Sequence, residues 1–234
     1  MKNSLANPGS AGLYRTRIKI CGLTREQDVD AAVDAGADAV GFVLWSGSAR
    51  AVSLDQAAML AARLPPFVTP VLLFVNESPA AVRIALDCVP GAVAQFHGDE
   101  TPLDCLEATS HGDHRFLRAA RIPPDAAGAN FDLLKYAADF AAAQAILLDA
   151  YVEGYGGRGK RFDWSLLPPA VNTHLILSGG LSAANVGAGI HTLRPNCRSL
   201  GVDVSSGVES AKGIKDADKM REFTAAVRAA DAAA

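Results

Sequence analysis

Eight short apolar runs recur along the chain at nearly even spacing: Arg17–Cys21, Ala39–Leu44, Val68–Val75, Ala92–Phe96, Arg115–Ala120, Ala145–Asp149, His174–Ser178 and Ser199–Val204. Stretches such as Leu72-Leu73-Phe74-Val75 and Ala145-Ile146-Leu147-Leu148 show no polar alternation. Strands of that kind are covered on both faces, which is the habit of parallel sheets. Parallel neighbours need a crossover between them, and the intervening segments have helical apolar spacing with recognisable starts. Thr24-Arg25-Glu26-Gln27 has the form of a capping box ahead of Val29, Ala32 and Val33, with Gly36 placed to stop the helix. Ser53, Ser78, Thr101, Asn130, Ser182 and Asp216 are placed to open further helices, and Asp163 or Trp164 a short one.

Eight strand–helix units in 234 residues fit one α/β domain, a single-domain (β/α)8 TIM barrel over residues 17–230. A doubly wound open sheet uses the same pieces. A barrel, however, gathers every strand C-terminus around one rim, so the residues at strand ends decide between them. Residues 1–16 lack the continuous apolar stretch of a signal peptide and are expected to form a flexible extension, and the Ala-rich end after Arg228 is expected to fray. No window approaches the ~18 apolar residues of a membrane span. The 22 Lys and Arg against 25 Asp and Glu, net −3, show no cluster, which argues against a nucleic-acid partner. Cys21, Cys88, Cys105 and Cys197 form no paired spacing, so a disulfide frame or structural zinc is not indicated and a reducing cytoplasm is the expected setting.

The strand ends carry the chemistry. Lys19-Ile20-Cys21-Gly22 places a thiol at the rim ahead of a helix N-terminus, where its pKa is expected to be depressed and the thiolate available as base or nucleophile. The alternative is a small buried hydrophobe, the reading kept for the other three cysteines. Asp149 follows four apolar residues, a half-desolvated position suited to a general acid or, alternatively, to a structural hydrogen bond with the next loop. Gly154–Lys160 nearly matches a nucleotide-binding G-x-x-x-x-G-K, but Arg161 stands where a Ser or Thr would hold Mg²⁺, and a glycine-hinged lid is the better expectation. After the seventh and eighth strands, Gly179, Gly180, Ser205, Ser206 and Gly207 offer backbone N–H groups and hydroxyls where barrels commonly hold phosphate. Arg50 is placed to pair with a substrate carboxylate or to be solvated, and His97 to contact substrate or a neighbouring loop. His111 and His114 share a loop with Asp113, but no third ligand at useful metal-binding spacing appears, so no metal is expected.

Read together, Lys19–Thr24, Gly36–Phe42, Phe74–Asn76, Gln95–Gly98, Leu148-Asp149, Phe162–Trp164, Leu177–Leu181 and Gly201–Glu209 resemble the phosphoribosylanthranilate isomerase family of tryptophan biosynthesis, over nearly the whole chain from Ile18 to about Val227. The fourth-strand segment usually reads QLHG there, and Phe96 is a departure expected to affect packing rather than chemistry. The resemblance implies an Amadori rearrangement of N-(5-phosphoribosyl)anthranilate without metal or cofactor. It implies Asp149 as general acid and Cys21 as general base. Arg50 would meet the anthranilate carboxylate, Lys19, His97 and Asp203 would be further substrate contacts, and the two glycine- and serine-bearing loops would hold the phosphate. Related barrels occur as monomer or homodimer. The alternatives are another phosphate-binding barrel isomerase or epimerase, or a non-catalytic barrel that binds a metabolite.

Overall fold

The computed structural model describes residues 15–123, 131–150 and 171–233. The eight expected runs form β1 (Arg17–Cys21), β2 (Ala39–Val43), β3 (Thr69–Phe74), β4 (Val93–Phe96), β5 (Phe116–Ile122), β6 (Ala145–Ala150), β7 (Val171–Leu177) and β8 (Cys197–Val204). They pair in sequence order, all parallel, and β8 returns to β1 to close a barrel. The helices are α1 (Glu26–Asp34), α2 (Leu54–Ala61), α3 (Pro79–Cys88), α4 (Pro102–Ala108), α5 (Leu133–Asp139), α6 (Val186–Leu193) and α7 (Ala217–Ala232).

Local chemistry sets most helix starts. The Ser53 and Ser78 hydroxyls accept from the N–H groups of Gln56 and Ala81, Thr101 and Asp104 close a reciprocal capping box, and Asp216 accepts from Asp218 and Lys219. Three starts differ from the sequence reading. The Thr24 box does not form, because the Thr24 hydroxyl donates instead to the Gly213 carbonyl at 3.2 Å and α1 begins after Arg25 with no side-chain cap. Asn185, not Ser182, occupies the N-cap position of α6 without a side-chain cap, its Oδ1 accepting instead from the Ser182 N–H at 2.9 Å. Asp132 caps α5, while Asn130, the Gly154–Lys160 loop and the Asp163-Trp164 helix start lie outside the described residues.

Nor does the C-terminus fray after Arg228. The α7 helix runs to Ala232, and the Asp231 carboxylate near its end accepts from the Thr16 hydroxyl at 2.7 Å and the Thr16 N–H at 3.0 Å while pairing with Arg194. A carboxylate with that many charge-assisted donors ties the last helical turn to the residue preceding β1.

Two apolar layers share the strands. Alternate residues Val71, Val93, Leu117 and Ala145 fill the barrel interior, while Ile18, Ile20, Val40, Phe42, Leu72, Phe74, Ala94 and Phe96 face the helices. This two-sided burial is the reason the runs are continuously apolar. Phe96 sits in the outer layer, its ring centroid 5.6 Å from that of Phe116 and 6.2 Å from that of Phe74. Its departure from the usual sequence therefore changes packing away from the mouth. One element was not anticipated: β9 (Glu209–Ala211) and β10 (Ile214–Lys215), an antiparallel ribbon whose turn contains Gly213 at φ +81°. Two strands this short carry no periodic apolar signal to detect.

Candidate active site

The period-2 pleat that sends Val93 into the barrel floor sends Gln95 and His97 up the same side toward the mouth. Ala145, Leu147 and Asp149 follow that rule on β6, and Gly201, Asp203 and Ser205 on and after β8. A cavity at this end is lined by Cys21, Arg50, His97, Asp149, Gly179, Gly180, Asp203, Ser205 and Ser206, together with Gln95, Trp45 and Ser178. Nine of the eleven residues singled out by sequence thus open onto one space.

The other two sit behind it. Gly207 packs its α-carbon against the Leu181 carbonyl so closely that a Cβ would overlap the oxygen, which binds the loop after β8 to the loop after β7. Lys19 is buried below the mouth, its Nζ donating to Asp203 Oδ1 at 2.8 Å, with the two side chains 5% and 6% exposed. A Cβ on Gly41 would lie 2.6 Å from Cys21 Sγ and 3.1 Å from Lys19 Nζ, so glycine there leaves room for thiol and ammonium to converge.

The electrostatics of the thiol reverse the sequence expectation. Burial pushes the Cys21 thiol above its ordinary 9.0, and the Lys19 ammonium, which pulls the other way, does not fully offset it. The expected depression by a helix N-terminus fails because α1 begins only at Glu26. Burial likewise works against the Lys19 ammonium, but Asp203 and Cys21 outweigh it and hold its pKa at about 12.

Arg50 is neither solvated nor free. Its Nε and Nη2 donate to the two Glu209 oxygens at 2.6 and 2.8 Å, and among the described residues Nη1 carries no hydrogen bond. Burial pushes the Glu209 carboxyl up, but the Arg50 hydrogen bonds and the Lys215 charge bring it below its usual range. Lys215 is fully buried at its side chain and donates to Glu209 Oε1 at 2.9 Å, to the Ser205 carbonyl at 2.9 Å and to the Ser205 hydroxyl at 3.2 Å. Sequence reasoning missed Glu209 and Lys215 as site residues, since both lie on the unanticipated ribbon. It missed Gln95 for a different reason: attention to strand ends overlooks the layer just below.

The arrangement sets a thiol and a carboxylate facing one cavity from non-adjacent strands, β1 and β6, beside loops rich in N–H donors and a guanidinium held in place by a carboxylate. It can move two protons at neighbouring atoms of an anionic substrate.

Comparison with known proteins agrees. The family model described as N-(5'phosphoribosyl)anthranilate (PRA) isomerase matches residues 18–226. A relative from Methylibium petroleiphilum, N-(5'-phosphoribosyl)anthranilate isomerase, is 62% identical over 218 residues, 93% of this chain and 96% of that protein. The crystal structure of phosphoribosyl anthranilate isomerase from Thermus thermophilus superposes with a TM-score of 0.78 at 30% identity, covering 92% of this chain and 99% of that one. A phosphoribosyl anthranilate isomerase solved in complex with reduced 1-(o-carboxyphenylamino)-1-deoxyribulose 5-phosphate superposes with a TM-score of 0.72 at 32% identity, over 92% of this chain and 99% of that one.

Proposed function

Since the chain belongs to the N-(5'phosphoribosyl)anthranilate isomerase family and is therefore an isomerase of tryptophan biosynthesis, we propose that the barrel-mouth cavity carries out the rearrangement with Asp149 as general acid and Cys21 as general base. Asp149 gives a proton to the furanose ring oxygen as the C1′–O bond breaks, and the nitrogen lone pair forms the C1′=N iminium. Cys21, once deprotonated beside the Lys19 ammonium that offsets part of the burial cost, takes the C2′ proton as a thiolate, and the electron pair forms the enolamine, which tautomerises to the 2-ketose. The iminium acidifies C2′–H, so a base of moderate strength suffices and both steps are proton transfers within reach of side chains.

The observation that carries this reading is the convergence of Cys21 and Asp149 on the same cavity as Gly179, Gly180, Ser205 and Ser206. The phosphate belongs at those four residues, remote from the reacting carbon, where its binding energy holds the sugar in register. Arg50, with two nitrogens committed to Glu209, presents Nη1 to the anthranilate carboxylate. Lys19 leaves the role of substrate contact and becomes the counter-ion of the thiolate. A reducing cytoplasm is the proposed setting, since the four cysteines form no disulfide among the described residues.

The test is turnover of N-(5-phosphoribosyl)anthranilate by the purified protein, followed as loss of anthranilate fluorescence. Cys21→Ser and Asp149→Asn are each expected to lower kcat by at least about 10²-fold. Full activity in either variant removes the corresponding role, and a silent wild type removes the activity.

A further inference from the structure

Two side chains on and just after β4 make an arrangement that the proton transfers above do not use. Gln95 is fully buried, and its Nε2 stands 3.1 Å from His97 Nδ1, while His97 Nε2 stands 3.0 Å from Asp149 Oδ2. We infer that Gln95 and His97 are positioning residues: the Gln95 amide fixes the imidazole tautomer that donates to Asp149 Oδ2 and thereby reserves Oδ1 for the substrate's ring oxygen. The inference rests on the proposed role of Asp149 as general acid.

The direction of the chain follows from satisfying buried groups. Oδ2 is an acceptor, whether Asp149 is ionised or holds a proton on Oδ1, and needs a donor, so Nε2 carries the proton and Nδ1 is an acceptor, which in turn requires the amide nitrogen of Gln95 to face it. This leaves Gln95 Oε1 buried without a partner. Rotating the amide would let Oε1 accept from the ring but leave both amide N–H groups unpaired instead of one, and would turn an imidazole lone pair toward Asp149. Exchanging a second unpaired N–H for an unpaired carbonyl oxygen is the cheaper outcome, because under-satisfied carbonyls are commoner in proteins than orphaned donors. Among the described residues Oδ1 carries no hydrogen bond, and Asp149 lines the mouth. The two oxygens are therefore unequal: one is clamped by His97, and the other has no partner among the described residues. His97, placed from sequence as a substrate contact, acts through Asp149 instead.

The experiment is nitrogen-15 NMR of the imidazoles in the folded enzyme, with the His97 resonance identified by its loss in His97→Asn. The expected signature is a single tautomer protonated at Nε2, with Nδ1 as a hydrogen-bonded acceptor. Gln95→Met is expected to give a mixture of tautomers and to lower kcat by about tenfold with KM changed less than about twofold, within the ~10²-fold cost of misplacing a catalytic group by about 1 Å. Gln95→Glu, which offers the ring only an acceptor, is expected to shift the proton to Nδ1. A wild-type ring protonated at Nδ1, or a Gln95→Met enzyme with unchanged tautomer and kcat, overturns the inference. Failure of the underlying reading looks different: an active Asp149→Asn with the Nε2 tautomer intact removes the general acid and leaves the hydrogen-bond chain standing.

Discussion

Replacing Lys19 with Met removes one partner of the buried Lys19–Asp203 pair while keeping the length of the side chain. At 2.8 Å and an effective dielectric of ~20 the Coulomb attraction is about 6 kcal/mol, most of it consumed by desolvating two side chains only 5% and 6% exposed. Raising the lysine from 10.5 to about 12 corresponds to about 2 kcal/mol. Removing the cation also leaves Asp203 buried and uncompensated, a loss that commonly reaches 3–5 kcal/mol for buried pairs, roughly. Lys19→Met and Asp203→Asn are therefore each expected to cost roughly 2–5 kcal/mol. The double variant should cost markedly less than the two losses added, since replacing both charges removes the isolated ion. Urea unfolding of the four proteins at neutral pH measures this cycle. Additivity within about 0.5 kcal/mol would refute the coupling. The pH dependence supplies a second check. A lysine held above its unfolded value binds its proton more tightly in the native state, so the pair's stabilisation is complete below pH 10.5 and is lost as pH rises through about 12. Cys21, raised above 9.0, works in the same direction, because above pH 9.0 the unfolded thiol ionises first. The lysine's loss on the alkaline side should be absent in Lys19→Met, whereas that of Cys21 should grow, because the ammonium that pulls the thiol pKa down is gone.

Lys215→Met withdraws the cation that fixes the Ser205 carbonyl and hydroxyl; KM is expected to rise about tenfold, or about 1.4 kcal/mol, with kcat little changed, in steady-state assays of phosphoribosylanthranilate turnover. Gly207→Ala forces the loop after β8 away from the Leu181 carbonyl, so the rise in melting temperature produced by inorganic phosphate on the wild type should be largely lost in a thermal-shift titration. Maleimide labelling followed by mass spectrometry should modify exposed Cys88 first and leave Cys105 until the protein unfolds, because burial lifts that thiol to about 12.

Much of the fold was legible because a (β/α)8 barrel writes itself into the chain as repetition. Each strand is covered on both faces, so each appears as an apolar run, and Ser53, Ser78, Thr101 and Asp216 open helices through contacts within a few residues. Where a cap depended on a distant partner, the reading failed. Thr24 is engaged by Gly213, 189 positions away, and the terminal turn of α7 is held by Thr16. The same division runs through the site. Cys21, Asp149 and the loops after β7 and β8 could be named from position, since the barrel rule puts strand C-termini on one rim.

What the sequence determined was therefore the number of units, their parallel pairing and the inventory of groups at the mouth, all consequences of local periodicity and short-range hydrogen bonding. Tertiary structure alone decided what those groups do to one another. Lys19 turned out to face Asp203 across 184 positions, Arg50 to lie in the grip of Glu209, and Lys215 to stand behind Ser205. Charges act through space and burial rather than along the chain. A lysine read as a substrate contact becomes a buried counter-ion, and a thiol expected to have a depressed pKa has it raised instead, only once the barrel has closed and excluded water around them.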